Sequence, residues 1–182
     1  MEAAEIKKVL FLNVPDGGVF KIGATDYIKF PSVNGQTPIV ARDILFTSRM
    51  GNNNDFRASI ILKNLQEEYL PEIIEVVGEE NVLTFKTDLT ALDGLKPYED
   101  LESQVSLPTF DFYRANVKIF DQYPVDEWWW TATPESAQPH CRPAWTVCVS
   151  PSGSILIDRC NFGSGVRPFY ILKSGIFGSC EA

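Results

Sequence analysis

The sequence predicts an α+β fold with short antiparallel strands and two to three helices. Segments near both ends alternate apolar and polar residues, as half-buried strands do, whereas the middle carries apolar residues at helical spacing. A Pro-Ser-Gly turn joins two further strand-like segments near the carboxy terminus. At 182 residues the chain fits one domain, spanning 1–182, with residues 1–18 as an amino-terminal β extension.

The amino-terminal region reads as a small sheet. Residues 8–14 are apolar and end at the turn cluster 15–18. Residues 20–23 and 27–30 then alternate apolar with polar side chains, and 38–45 reads as another strand. Short polar links separate these segments, which favours antiparallel neighbours.

The central region predicts helices. Asn54 or Asp55 is placed to cap a first helix, and Pro71 fits the first position of a second helix that Gly78 ends. Thr109 is expected to cap a third helix.

Between these helices the pattern changes. Residues 81–87 and 105–107 have strand character, whereas 93–103 is polar and turn-rich and reads as a surface loop.

The carboxy-terminal hairpin pairs residues 144–150 with 154–160. If its loop has an even number of residues, Cys148 lies opposite Ile157. Cys148 and Cys160 then point to opposite faces of the hairpin and do not form a disulfide. A three-residue loop or a bulge would change this register.

Charge and hydropathy exclude some classes of partner. The formal net charge is -8, from 24 acidic and 16 basic residues, and the basic residues form no cluster. Nucleic acids and anionic membranes are therefore poor partners. The apolar runs are too short for membrane insertion. An acidic start, where a secretory signal would be basic, favours a cytoplasmic or virion location.

Two sequence boxes carry a resemblance to a known family. Trp-Trp-Trp-Thr-Ala-Thr-Pro occupies 128–134, and Gly-Val-Arg-Pro occupies 165–168. Their order resembles a domain family of gut bacteria and their phages. That family is similar to the C-type-lectin-like fold of formylglycine-generating enzymes and of retroelement-diversified receptor proteins. The resemblance spans about 20–175, although Thr-Ala-Thr at 131–133 stands where relatives commonly show arginine.

The residues of the two boxes are interpreted mainly as scaffold. Trp128, Trp129 and Trp130 are interpreted as structural residues, two of which are expected to be buried, with stacking on a sugar ring or another aromatic ligand as the alternative for at least one of them. Arg167 is expected to tie down loop carbonyls or an internal carboxylate.

The resemblance implies that the last strands present a recognition surface. Between the boxes, mixed polar and aromatic side chains are candidate ligand-binding residues: His140, Arg142, Trp145, Asp158, Arg159, Asn161 and Phe162. The expected function is a non-enzymatic binding module or virion structural module that contacts a protein or glycan through the loops around the last hairpin. Homo-oligomer formation or virion assembly is a further expectation, and no cofactor is expected.

The alternative is a formylglycine-generating-type metal or thiol oxidoreductase that uses Cys148 or Cys160. The cysteines do not reproduce the copper-binding pair of those enzymes. Gln-Pro-His at 138–140 replaces the calcium-binding tripeptide of lectins, so calcium is not expected. His140 and Cys141 would join Cys148 and Cys160 in a zinc site only if folding brought all four together. His140 also lacks a recognisable nucleophile motif.

Overall fold

The described part of the chain forms three β-sheets and two helical regions in this computed structural model, which confirms the α+β class. The structure describes residues 7–136 and 144–180. The strands are β1 (Lys7–Leu10), β2 (Val19–Ile22), β3 (Thr25–Lys29), β4 (Gln36–Ala41), β5 (Phe46–Arg49), β6 (Phe85–Thr87), β7 (Leu101–Ser103), β8 (Trp129–Pro134), β9 (Trp145–Val149), β10 (Ile155–Arg159), β11 (Gly163–Val166), β12 (Phe169–Lys173) and β13 (Phe177–Cys180). The α-helices are α1 (Ile60–Asn64), α2 (Leu70–Val77), α3 (Phe110–Ala115) and α4 (Val117–Phe120).

A six-stranded antiparallel sheet holds the strands from both ends of the described chain. Its order is β1-β13-β2-β3-β4-β12. Strand β1, from the segment expected to be an amino-terminal extension, pairs with β13 at one edge of this sheet. The first and last described strands are therefore neighbours, although they are far apart in sequence.

The five-stranded sheet holds the last hairpin and parts of both sequence boxes. Its order is β10-β9-β8-β11-β5, and among these described strands only β11 and β8 run parallel, through the pairing of Gly165 with Trp129. Strand β10 is one edge of the sheet, because among the described residues it pairs with β9 alone. Strands β6 and β7 form a separate two-stranded sheet.

The first helical region starts later than the sequence predicts. Asp55 caps a single 3-10 turn, and the α-helix begins only after Ser59, whose hydroxyl accepts a hydrogen bond from the Leu62 amide. A π-helical turn (Leu65–Tyr69) joins α1 to α2, so Pro71 lies inside a continuous helical stretch. Gly78 ends α2 as predicted, with a φ of 87° that other residues rarely adopt.

The second helical region begins at the predicted cap. The Thr109 hydroxyl accepts a hydrogen bond from the Phe112 amide and starts α3. The prediction for the preceding segment was wrong in part, because β7 forms at the end of the expected loop 93–103. In place of a strand at 105–107, Ser106 makes an isolated bridge to Phe169.

The register of the last hairpin differs from the expectation by one residue. Cys148 lies opposite Leu156 and not Ile157. The amide of Ser150 bonds to the Ser154 carbonyl across a three-residue loop, in which Gly153 has a φ of 79°. With this register Cys148 and Cys160 share one face of the hairpin, which corrects the prediction of opposite faces.

The two thiols nevertheless remain apart. The amide of Cys160 donates to the carbonyl of Ala144, which directly precedes β9 and lies four residues from Cys148. Four residues of extended chain separate the two thiols by about 13 Å. Both are free thiols. No disulfide joins them, although the reason is distance along the strand and not the face on which they lie.

Two apolar clusters cover the two faces of β8. Trp130 belongs to the cluster that includes Phe56 and Leu62 from the first helical region, and Trp129 belongs to the cluster that includes Tyr113 and Phe120. Neighbouring strand residues point to opposite faces, so consecutive tryptophans enter different clusters. No helix in the described part of the chain is long and apolar enough to cross a bilayer.

Candidate ligand-binding surface

A groove of about 410 Å³ opens beside the edge strand β10, and we call it the β10 groove. It is lined by Asp126, Glu127, Trp128, Leu156, Ile157, Asp158, Gly163 and Ser164. Three large apolar side chains in it are exposed to solvent: Trp128 by 38%, Leu156 by 45% and Ile157 by 42%. Exposed apolar side chains gathered at one place are typical of an interaction surface.

The backbone of β10 is open along its outer edge. Hydrogen bonds from Ser150 to Ser154 and from Cys160 to Ala144 show that the even-numbered residues of β10 bond to β9. The odd-numbered residues therefore direct their N–H and C=O groups outwards. No described residue bonds to these backbone groups of Ile155 or Ile157.

The unpaired outer edge of β10 ends at Arg159, whose backbone groups both have partners. Its amide donates to the Asp158 carboxylate at 2.7 Å, and its carbonyl accepts from the Phe162 amide at 2.9 Å. A charged side chain and a turn thus protect the end of the strand, as is common for edge strands. The open stretch is limited to Ile155 and Ile157, next to the groove.

The polar rim of the β10 groove is acidic. Asp126, Glu127 and Asp158 line it, and no lysine or arginine of the described residues does. Glu127 accepts a hydrogen bond from the Thr47 hydroxyl, which holds one carboxylate in place. A ligand with positive charge beside apolar groups therefore complements this surface.

The site residues expected from the sequence do not form one cluster. Asp158 lines the β10 groove, whereas Arg159 lies on the opposite face with its guanidinium 5.4 Å from the ring of Trp145. Asn161 and Phe162 follow on an exposed turn. His140 and Arg142 lie outside the described residues.

The three tryptophans divide into two buried residues and one surface residue. Trp129 is 2% exposed and Trp130 is fully buried, with its indole N–H bonded to the Ser48 carbonyl. Trp128 lies just before β8, in the wall of the groove, so the scaffold expectation does not fit it. The sequence prediction also missed Leu156 and Ile157 as groove residues. The signal that could have found them is a run of apolar residues in a short strand directly after a turn.

Arg167 is 1% exposed and bonds to backbone carbonyls. Its Nε donates to Ala41 at 3.0 Å and its Nη2 donates to Arg42 at 2.8 Å. Burial lowers the pKa of its guanidinium to about 10, which leaves it charged at neutral pH. It holds the end of β4 against the box 165–168.

The environments of Cys148 and Cys160 do not favour thiolate chemistry. Burial, with a smaller contribution from the Asp158 carboxylate, raises the pKa of Cys148 to about 12. Burial also raises the pKa of Cys160, whose sulfur lies 3.2 Å from the Thr146 hydroxyl. A thiol is nucleophilic only as the thiolate, so neither environment favours an oxidoreductase.

We therefore expect Cys148 and Cys160 to be inert in the native protein. In a Cys141→Ser/Cys180→Ser background at pH 8, an aromatic disulfide reagent should react with them about 100-fold more slowly than with glutathione. Both should react promptly in urea. Prompt reaction of either thiol without urea would contradict this expectation and support the alternative of a thiol oxidoreductase.

Within residues 7–136 and 144–180, no three His, Cys, Asp or Glu side chains group as a metal site. Comparisons with protein-family models, with curated proteins and with solved structures gave no match.

Proposed function

We propose that this chain is a non-enzymatic binding module that takes up an extended segment of a partner protein along β10. The open backbone edge at Ile155 and Ile157, beside the exposed Trp128, is the observation that carries the proposal. An extended peptide adds to such an edge through main-chain hydrogen bonds, and its side chains occupy the neighbouring groove.

The groove fits a protein segment better than a glycan. A sugar ring stacks on one aromatic face, and Trp128 offers such a face. Leu156 and Ile157 add aliphatic surface on both faces of the strand, which hydroxyl-rich sugars do not match. Unpaired N–H and C=O groups at a strand edge also match the backbone of another strand.

The acidic rim specifies the charge of the partner segment. Three carboxylates and a net charge of -8 disfavour acidic segments and accelerate the approach of basic ones. The occupant is therefore a strand in which apolar residues alternate with lysine or arginine.

The proposal is tested by calorimetric titration with capped octapeptides. A peptide of alternating lysine and valine should bind about tenfold more tightly than one of alternating glutamate and valine, because only its charge complements the rim. Trp128→Ala should weaken the binding, since it removes the apolar wall. Ile157→Pro should also weaken it, because it removes an outward N–H without breaking a bond to β9.

Val33→Ala is the matched control, since Val33 is 65% exposed and lies outside the groove. Its affinity for the lysine–valine peptide should equal that of the unaltered protein. Equal affinity for both peptides, or an unchanged affinity in Ile157→Pro, would refute the proposal. Tight binding of cellohexaose or chitohexaose with loss in Trp128→Ala would instead assign the groove to glycans.

The finer fold assignment is also a proposal. We propose a C-type-lectin-like fold, supported by the order of the boxes 128–134 and 165–168 around the last hairpin. An origin in a gut bacterium or a phage particle, and assembly into a virion, rest on the same resemblance.

A further inference from the structure

A second cavity, of about 290 Å³, lies apart from the β10 groove, and none of the described residues lines both. Arg167 lines this cavity together with the rings of Phe120 and Trp129. Ser150 and Ser152, from the hairpin loop, contribute hydroxyl groups to the lining. A buried cation thus lies against aromatic rings beside a space about the size of a small-molecule site.

One edge of the Arg167 guanidinium is already used by the protein. Nε bonds to the Ala41 carbonyl and Nη2 to the Arg42 carbonyl, which occupies the side formed by these two nitrogens. Nη1 has no hydrogen bond to any described residue and is not fully enclosed. The edge formed by Nη1 and Nη2 is therefore the one that remains for a ligand in the cavity that Arg167 lines.

The charge of Arg167 has no carboxylate partner. No Asp or Glu of the described residues lies within 4.0 Å of its guanidinium, and Asp43 acts on it only at longer range. The rings of Trp129 and Phe120, whose centroids lie 5.1 and 5.3 Å from Cζ, stabilise the cation in part. A buried charge with only these partners gains from an anion that reaches its open edge.

We propose that this cavity binds a small monocarboxylate with a single ring. Its carboxylate pairs with the Nη1–Nη2 edge of Arg167 through two parallel hydrogen bonds, the geometry that a guanidinium favours. Its ring packs against Phe120 and Trp129, and the Ser150 and Ser152 hydroxyls lie near its polar groups. Asp121 also lines the cavity and disfavours a second negative charge on the ligand.

Benzoate, benzamide and benzylamine separate charge from shape in the test. These ligands share a ring and differ in charge, so titration of the ¹⁵N-labelled protein reports the role of the carboxylate. Benzoate should bind at least about tenfold more tightly than benzamide and shift the Arg167 Nε–H resonance. Benzylamine should not bind. Equal binding of benzoate and benzamide would overturn the proposal.

Acetate and inorganic phosphate, at matched ionic strength, control for general anion effects. If either shifts the Arg167 resonance as strongly as benzoate does, the cavity has no preference for a ring and the proposal fails. Benzoate should leave the affinity for the lysine–valine peptide unchanged, so failure at one site is distinguishable from failure at the other.

Two variants complete the test. Ser152→Ala, at an exposed loop position, should weaken benzoate binding two- to threefold, about the loss of one weak hydrogen bond. Arg167→Lys keeps the charge and loses the paired donors, and should abolish benzoate binding if the variant remains folded. Arg114→Lys, which does not line the cavity, is the matched control. A folded Arg167→Lys protein with unchanged benzoate affinity would contradict the proposal.

Discussion

Replacing Trp130 by alanine should lower the free energy of unfolding by about 3–5 kcal/mol. The side chain is fully buried in the larger apolar cluster, so its removal leaves a cavity that the central strand β8 cannot close. The change also frees the Ser48 carbonyl, which accepts the indole N–H at 2.8 Å. Urea unfolding followed by circular dichroism measures the loss.

Trp128 provides the matched control two residues earlier in the same box. Because Trp128 is 38% exposed, Trp128→Ala should cost less than about 1 kcal/mol. Similar losses from Trp128→Ala and Trp130→Ala would contradict the division of the tryptophans into a surface residue and a core residue.

Replacing Arg167 by methionine should have the second large effect and lower the free energy of unfolding by about 2–4 kcal/mol, because two carbonyls inside the protein lose their charged donors. Methionine preserves much of the apolar volume of the side chain, so the loss reports mainly the bonds to Ala41 and Arg42. Urea unfolding again gives the value.

Arg167→Lys separates charge from geometry. One ammonium group cannot reproduce two donors in a fixed plane, so lysine should recover less than half of the lost stability. A stability of Arg167→Met within about 0.5 kcal/mol of the unaltered protein would show that Arg167 does not hold β4 in place.

Local signals in the sequence predicted local structure well. Thr109 and Gly78 begin and end helices where capping chemistry places them. The start of α1 was misplaced because Asp55 and Ser59 are both good caps, and Asp55 serves only a 3-10 turn. Pairing between distant segments, such as β1 with β13, leaves no comparable local signal.

The hairpin shows why the site was predicted only in part. A single extra loop residue shifts the pairing by one, so that Cys148 meets Leu156. The loop length was the quantity that the sequence left open, because the Pro-Ser-Gly turn fits more than one loop. Asp158 and Arg159 lie on different faces in either register, because neighbouring strand residues alternate. The exposed apolar residues of β10, Leu156 and Ile157, therefore form the larger feature of the surface.

Amide hydrogen exchange in β10 tests the central claim most directly. In the free protein the amides of Leu156 and Asp158, bonded to β9, should exchange slowly, whereas those of Ile155 and Ile157 should exchange fast. Saturation with the lysine–valine octapeptide should slow Ile155 and Ile157 and leave their neighbours unchanged. Slow exchange of Ile155 and Ile157 in the free protein, or fast exchange that the peptide does not alter, would contradict uptake of a partner strand along β10.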